Sequence, residues 1–127
     1  MDKKRERARV LKKRNVLSSA KYTELNRALC GFVSDFLNSA EVKTISAFLP
    51  IGSEPNISEV LKKWLSADSD RRVFLPVTED KTMRFAFWDP TKPLKLGRFG
   101  VPEPTSNLFF DPPLLLVPCV ALNKEGY

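Results

Sequence analysis

The most regular pattern in the chain is an apolar stripe between Ser18 and Asn38. Its members recur at spacings of three and four residues, as they do along one face of an α-helix, and they are Tyr22, Leu25, Leu29, Phe32, Val33, Phe36 and Leu37. Ser18 or Ser19 supplies an N-cap hydroxyl, and Asn38-Ser39 is a suitable exit. The pattern predicts a long amphipathic helix.

A strand, a loop and a shorter helix are predicted next. Residues 44–49 form an apolar run, and residues 50–55 follow it as a loop with proline and glycine. Asn56, with Glu59 three residues later, resembles a capping arrangement that opens a helix. The residues of this helix that we expect to face the core are Val60, Leu61, Trp64 and Leu65.

The chain then returns to strand-like patterns. Residues 72–75 predict a second strand that ends at Pro76, which completes a strand–helix–strand unit. Units of this kind place their two strands in parallel. Residues 83–88 alternate less cleanly and predict a further strand, at an edge of the sheet.

A proline-rich segment separates these elements from a final apolar run. Residues 89–113 contain six prolines and two glycines, a composition that argues against regular structure. A loop of this length in a compact domain usually serves a function. Residues 114–122 are mostly aliphatic and precede a turn-like tail at 123–127, so they predict a strand buried on both faces. Ligand-binding loops of α/β sheets follow such strands.

Length and composition indicate one domain with its own core. The chain has 127 residues, of which 43% are hydrophobic. No stretch approaches the ~18 consecutive apolar residues of a membrane span. The charged start is not followed by the apolar region of a signal peptide, so we expect a cytoplasmic location. Cys30 and Cys119 lack metal-ligand spacing and are predicted to be small core residues.

Positive charge is concentrated in an amino-terminal arm. Residues 2–14 contain eight basic and two acidic residues and so account for the whole net charge of +6, while the rest of the chain is balanced. We predict a basic helix within residues 1–17. Such an arm can contact nucleic acid, contact the phosphates of a nucleotide, or form a solvated surface, and charge alone favours the last.

Most familiar catalytic patterns are absent from the sequence. The chain has no histidine, which excludes the usual serine or cysteine triads, the H-E-x-x-H metal site and histidine-containing zinc sites. The five glycines form neither G-x-G-x-x-G nor G-x-x-x-x-G-K-[ST], so no complete phosphate-binding loop of these types is present.

Two loops contain residues suited to binding a flat ligand. Glu54 follows the first strand, where a carboxylate can accept hydrogen bonds from an amine-bearing heterocycle; position alone favours a solvated acid near a helix N-terminus. Phe99 is flanked by Gly97, Gly100 and proline, and can either stack on a planar ligand or anchor its own loop. Met83 is placed to line the same pocket or to join the core.

Together these segments resemble the 5-formyltetrahydrofolate cyclo-ligase family, also called methenyltetrahydrofolate synthetase, over the whole chain. The matching segments are the basic helix with Lys3 and Arg7 four residues apart, residues 48–55, Leu75-Pro76-Val77, Met83, residues 97–104, which resemble the family's G-x-x-G-[IV]-P-E-P, and residues 117–123. The resemblance implies an α/β fold of three layers, with a mostly parallel sheet and helices on both faces.

The resemblance also implies an activity and a set of binding residues. The family closes a ring in 5-formyltetrahydrofolate to give 5,10-methenyltetrahydrofolate, with ATP and Mg²⁺ as cofactors and release of ADP and phosphate. By family match, Lys3 and Arg7 contact ATP phosphates. Leu49 and Glu54 contact the reduced folate, and Phe99 packs against it. Met83 is assigned to the same substrate-binding set, and no catalytic residue or metal ligand is assigned.

The family pattern continues beyond position 127 with R-L-G-x-G-x-G-Y-Y-D-R, whose glycines, tyrosines and aspartate approach ATP, folate and magnesium. We therefore expect residues 1–127 to form a single domain that lacks the family's carboxyl-terminal part. The expected consequences are an exposed apolar sheet surface with an unpaired edge, very low activity and poor solubility. A monomer without membrane association is expected.

Two other functions compete with the cyclo-ligase hypothesis. A non-enzymatic module that binds RNA or another polyanion through the basic arm predicts tight binding that weakens steeply with salt. The arm lacks interleaved aromatic residues for base stacking, which disfavours nucleic acid. A protein that sequesters folate without turnover differs from the enzyme in having no ATP dependence.

Overall fold

A computed structural model describes residues 2–125 of the chain, with the exception of the Phe99 side chain. Gly126 and Tyr127, the end of the predicted turn-like tail, lie outside the described residues. The elements, in chain order, are α1 (Lys3–Asn15), α2 (Ser19–Ser39), β1 (Thr44–Ser46), α3 (Ser58–Ser66), β2 (Arg72–Glu79), β3 (Thr82–Phe87), β4 (Lys95–Leu96), a 3₁₀ turn (Arg98–Gly100), β5 (Pro102–Glu103) and β6 (Leu114–Leu115). Among the described residues, no helix has the length and apolar content needed to cross a membrane.

Four strands form the main sheet in the order β3-β2-β1-β6. β2, β1 and β6 run parallel to one another, whereas β3 pairs with β2 in the antiparallel direction. β4 and β5 form a separate antiparallel pair. The predicted α/β class with a mostly parallel sheet is confirmed, as is the parallel strand–helix–strand unit β1-α3-β2.

The core lies between the sheet and the helices α2 and α3. Alternate residues of a strand point to the same face of the sheet, so Ile45 and Ala47 share one face, and Val73 and Leu75 share it on the next strand. These side chains join buried residues from the helices and the connecting segments in one cluster, which consists of Leu37, Ile45, Ala47, Ile57, Leu61, Trp64, Val73, Leu75 and Trp88. This shared hydrophobic core therefore holds β1, α3 and β2 together.

Aromatic side chains cover part of the opposite face. Phe74 of β2 lies across the antiparallel ladder from Phe87 of β3, with ring centroids 6.0 Å apart in an edge-to-face arrangement. Phe110 packs against the same Phe74 ring at 5.7 Å. Pairs of this geometry stabilise a sheet beyond the area that they bury. They attach the segment before β6 to the sheet.

The helix α2 forms as predicted, but its apolar stripe is not buried as a unit. Ser18 is the N-cap, and its hydroxyl accepts a hydrogen bond from the Lys21 N–H at 3.1 Å. Leu37 is buried, whereas Phe32 and Phe36 are 73% and 50% exposed. The apolar stripe is wider than the area of α3 and the sheet against which α2 packs. The periodicity of one helix does not reveal the size of that area.

Two predicted boundaries around α3 and β2 are wrong. The Asn56 side chain accepts a hydrogen bond from the Ser58 N–H at 3.0 Å, and the N-cap position is Ile57, so the predicted capping arrangement with Glu59 does not form. β2 continues through Pro76 to Glu79. A proline is tolerated there because β1 pairs only as far as Phe74, which leaves that side of β2 without a ladder partner at Pro76.

The largest differences from prediction lie after residue 89. The proline-rich segment contains the β4-β5 pair and a 3₁₀ turn, although composition argued against regular structure there. The predicted buried strand over residues 114–122 is only two residues long, and Val117 and Leu122 are 72% and 68% exposed. β6 is the last strand in the order of the main sheet and pairs with β1 alone among the described residues, so one of its hydrogen-bonding edges has no partner strand.

The two cysteines also differ from prediction. Cys119 is exposed, because the apolar run that contains it leaves the sheet after β6. Cys30 is only partly buried; it packs against the core cluster, and its thiol donates a hydrogen bond to the Asn56 carbonyl at 3.3 Å. The prediction that both are core residues is therefore wrong for Cys119.

Candidate functional site

The carboxyl ends of β1 and β6 and the middle of β2, just past its pairing with β1, border a cavity of about 310 Å³, which we call the apolar cavity. Parallel strands present their carboxyl ends at one edge of a sheet, so the loops that follow them meet there. The lining residues come from the loop after β1, the middle of β2, strand β3, the start of β5 with the residue before it, and the end of β6 with the residues after it; they include Phe48, Leu49, Glu54, Pro76, Met83, Phe85, Val101, Pro102 and Val117.

Three of the four predicted substrate-binding residues lie in the apolar cavity. Leu49 and Glu54 come from the loop after β1, and Met83 comes from β3, where it lies opposite Thr78 of β2. The Met83 side chain is 61% exposed, so it lines an accessible surface and is not part of the core. The fourth residue, Phe99, has no described side chain, but Val101 and Pro102 of its segment line the same cavity.

A tight turn holds Glu54 in place. Gly52 has a φ of 60°, in the left-handed region that glycine adopts without strain. The Glu54 N–H donates to the Ile51 carbonyl at 3.2 Å, and the Ile51 N–H donates to Glu54 Oε1 at 2.9 Å. From α2, the Tyr22 hydroxyl donates to the Glu54 carbonyl at 2.8 Å. The half-buried carboxylate therefore caps its own turn and does not cap α3.

A second cavity, of about 650 Å³, lies beside the first, and we call it the basic cavity. One wall is α1, which contributes Lys3, Glu6, Arg7 and Arg9, and the other is residues 118–123. Glu54 borders both cavities. The predicted phosphate-binding and folate-binding residues are therefore neighbours in space, although about fifty residues separate them along the chain.

The cations that line the basic cavity differ in their partners. Arg9 forms an ion pair with Glu6 at 2.8 Å, and this hydrogen bond and the nearby negative charge raise the pKa of Arg9. Lys3 and Arg7 have neither an ion pair nor a side-chain hydrogen bond within the part of the chain that the structure describes. Their charges are thus available to an anionic ligand.

The structure adds a residue to which the sequence analysis gave no role. Glu103, 4% exposed, accepts a hydrogen bond from the Thr78 N–H at 3.0 Å. Its carboxylate lies against Gly97, where a Cβ atom would overlap it. This contact holds the segment with Val101 and Pro102 against β2. The spacing of glycine and glutamate in residues 97–104 was visible in the sequence, but the contact was not.

The basic cavity contains cations that suit a triphosphate. The volume of the basic cavity and the unpaired Lys3 and Arg7 suit phosphate groups. Between residues 2 and 125 there is no group of three or more histidine, cysteine, aspartate or glutamate side chains able to hold a metal ion. A magnesium ion bound with a nucleotide commonly uses only one or two protein carboxylates and completes its coordination with phosphate oxygens and water.

Comparisons with known proteins agree with this fold. The structure of a 5,10-methenyltetrahydrofolate synthetase from Aquifex aeolicus is similar with a TM-score of 0.77 and 27% identity, covering 100% of this chain and 66% of that one. A 5,10-methenyltetrahydrofolate synthetase from Mycoplasma pneumoniae shares the fold with a TM-score of 0.74 and 24% identity, covering 98% of this chain and 68% of that one. The chain thus spans just under two thirds of the Aquifex protein's length.

No curated protein matches the chain in sequence. The family model described as the 5-formyltetrahydrofolate cyclo-ligase family matches residues 1–127. The chain belongs to the 5-formyltetrahydrofolate cyclo-ligase family.

Proposed function

We propose that this protein contributes to the ATP-dependent conversion of 5-formyltetrahydrofolate to 5,10-methenyltetrahydrofolate, with release of ADP and phosphate. The observation that carries the proposal is the position of Glu54, which borders both an apolar cavity and a cavity with two unpaired cations. Transfer of a phosphoryl group from a nucleoside triphosphate to a substituent of a flat heterocycle requires two such sites side by side.

The folate would occupy the apolar cavity. Glu54 Oε1 is engaged by the Ile51 N–H, which leaves Oε2, without a partner among the described residues, to accept a hydrogen bond from the pterin amine. A charged acceptor makes such a bond roughly twice as strong as a neutral one. Leu49 and Met83 would pack against the ring. We infer that this loop orients the pterin and leaves its formyl group toward the basic cavity.

The triphosphate would lie against Lys3 and Arg7 in the basic cavity. In the chemistry implied by the family, the formyl oxygen attacks the γ-phosphorus and ADP leaves. N10 of the folate then attacks the formyl carbon and loses its proton to water, and the C–O bond breaks with release of phosphate. The chain's residues orient the two substrates and neutralise phosphate charge. Mg²⁺, when bound, would neutralise further phosphate charge.

Binding measurements on the purified chain test each half of the proposal. We expect Lys3→Ala/Arg7→Ala to weaken binding of a slowly hydrolysed ATP analogue about tenfold or more and to leave 5-formyltetrahydrofolate binding nearly unchanged, because each cation contributes a charge-assisted bond. Glu54→Gln should show the opposite pattern. Isothermal titration calorimetry measures both affinities, and absorbance of the methenyl product measures turnover.

Lys12→Ala/Lys13→Ala is the matched control, since it removes the same charge from the same helix but does not touch the basic cavity. An equal loss of affinity for the ATP analogue in both double variants would contradict a defined phosphate site. They would favour the competing hypothesis of diffuse polyanion binding, which a filter-binding titration with RNA at two salt concentrations then tests. Folate binding without any ATP dependence would favour sequestration.

A further inference from the structure

The basic helix α1 has little attachment to the rest of the protein. None of the residues Lys3–Asn15, all of which the structure describes, is buried. A helix of this length is only marginally stable in water by itself. Because Lys3 and Arg7 are at its amino-terminal end, their position depends on whatever fixes α1 to the body of the protein.

A serine in the Glu54 turn supplies that attachment. The Arg14 Nε donates to Ser53 Oγ at 2.8 Å, and Ser53 Oγ donates to Asn15 Oδ1 at 2.5 Å. Among the described residues, these are the side-chain hydrogen bonds that join α1 to the rest of the chain. The Ser53 hydroxyl thus accepts a hydrogen bond from Arg14 and donates one to Asn15, which are adjacent residues in the last turn of α1. Together the two bonds fix the position and the rotation of the helix end.

The same turn also determines the position of the folate-side carboxylate. Ser53 directly precedes Glu54, whose backbone is bonded to Ile51 and to the Tyr22 hydroxyl. Any shift of Ser53 therefore moves both Glu54 and the carboxyl end of α1. The helix transmits that shift along its axis to Arg7 and Lys3, over a distance of about 1.5 Å for each residue.

We propose that Arg14, Asn15 and Ser53 are positioning residues that couple the two substrate sites. This inference rests on the proposed function, since it takes the basic cavity as the phosphate site and the apolar cavity as the folate site. Folate bound to Glu54 holds the turn in place, the turn holds α1 through Ser53, and α1 presents Lys3 and Arg7 to the triphosphate. Coupling of this kind is reciprocal, so ATP also strengthens folate binding by the same factor.

The decisive measurement is the coupling between the two ligands. We expect the unmodified chain to bind a slowly hydrolysed ATP analogue about fivefold more tightly, or more, when 5-formyltetrahydrofolate is saturating, and the reverse titration to give the same factor. Ser53→Ala should reduce this factor to below about twofold.

Two further variants separate positioning from a general loss of structure. Ser53→Thr retains a hydroxyl at the same place and should preserve the coupling. Ser66→Ala removes a serine hydroxyl that bonds only within its own helix, to the Lys63 carbonyl, and should also preserve it. Coupling that persists in Ser53→Ala, or that is lost equally in Ser66→Ala, would overturn the proposal.

Hydrogen exchange gives a readout that needs no ligand. Amides of α1 should exchange faster in Ser53→Ala than in the unmodified chain and in Ser66→Ala, because the helix loses its attachment. Unchanged α1 exchange overturns the positioning role alone. If the unmodified chain binds neither ligand, the proposed function fails, and the coupling proposal fails with it, even where the exchange result shows that Ser53 holds α1.

Discussion

The helix α1 and the β1-α3-β2 unit contribute to the same site but are held in opposite ways. The unit contains Ile45, Leu61 and Val73, each with 0% exposure, and it positions the loop that contains Glu54. α1 has no buried residue among those that the structure describes and is joined to that loop through Ser53. Hydrophobic burial therefore fixes one half of the site, and a few polar contacts fix the other.

The difference suggests separate consequences for stability and for ligand binding. Damage to the unit should unfold the protein, whereas damage to α1 should leave the fold intact, weaken phosphate binding and reduce the coupling between the two ligands. A helix without buried side chains belongs to the least stable part of a structure, and it can adjust its position without disturbing the core.

The largest expected effect comes from truncating matched leucines in the two regions. Leu61→Ala should lower the free energy of unfolding by about 2–5 kcal/mol, because a completely buried side chain leaves a cavity. Leu11→Ala in α1, where the side chain is only partly covered, should cost less than about 1 kcal/mol. Urea titrations followed by circular dichroism measure both. Equal losses would show that α1 belongs to the core.

The next prediction compares a glycine packed against a buried carboxylate, Gly97, with a glycine that has open space around it, Gly31. Gly97→Ala should destabilise the protein by about 1–3 kcal/mol and weaken folate binding, because the new Cβ would displace the buried Glu103 carboxylate and with it Val101 and Pro102. Gly31→Ala, in the middle of α2 with open space around it, should instead stabilise by up to about 1 kcal/mol. Thermal unfolding and folate titration test the pair.

A smaller effect distinguishes the two cysteines. Cys119 is exposed and lines the basic cavity, whereas partial burial raises the pKa of the Cys30 thiol and lowers its thiolate fraction. Near neutral pH, N-ethylmaleimide should modify Cys119 several-fold faster, as measured by mass spectrometry of peptides, and an ATP analogue should slow that reaction. Cys119→Ser provides the control. Faster labelling of Cys30 would contradict the placement of residues 118–123.

The smallest expected effect is the pH dependence of the stability that the Lys43–Asp68 ion pair contributes. A hydrogen bond from the Lys43 ammonium lowers the pKa of the Asp68 carboxyl, which lies at the surface between α3 and β2. The stabilisation is present above the unfolded pKa of about 3.9 and is lost as the pH falls through the lower folded value. Asp68→Asn should therefore reduce stability slightly at pH 7 and by less at pH 3. An equal change at both pH values would exclude the ion pair as its cause.

Local patterns in the sequence predicted the helices α2 and α3 well. The stripe from Tyr22 to Leu37 and the serine at its start located α2, and the apolar residues of α3 located the core contacts Leu61 and Trp64. The resemblance to the cyclo-ligases also selected Leu49, Glu54 and Met83, which the fold brings to one cavity, although their roles as ligand contacts stay predictions. Side-chain exposure was predicted less well, since Phe32 and Cys119 are exposed.

The sequence by itself determined the class of fold, because helical periodicity, caps and the strand–helix–strand order are properties of neighbouring residues. Only the tertiary structure decided how the site is assembled. The Arg14–Ser53 bond joins residues 39 positions apart, and the Thr78–Glu103 bond joins residues 25 apart. Contacts at such separations produce no periodic pattern in the sequence, since they depend on how the completed helices and strands pack. For this reason, the residues of α1 could be recognised as basic from the sequence, but their connection to Glu54 could not.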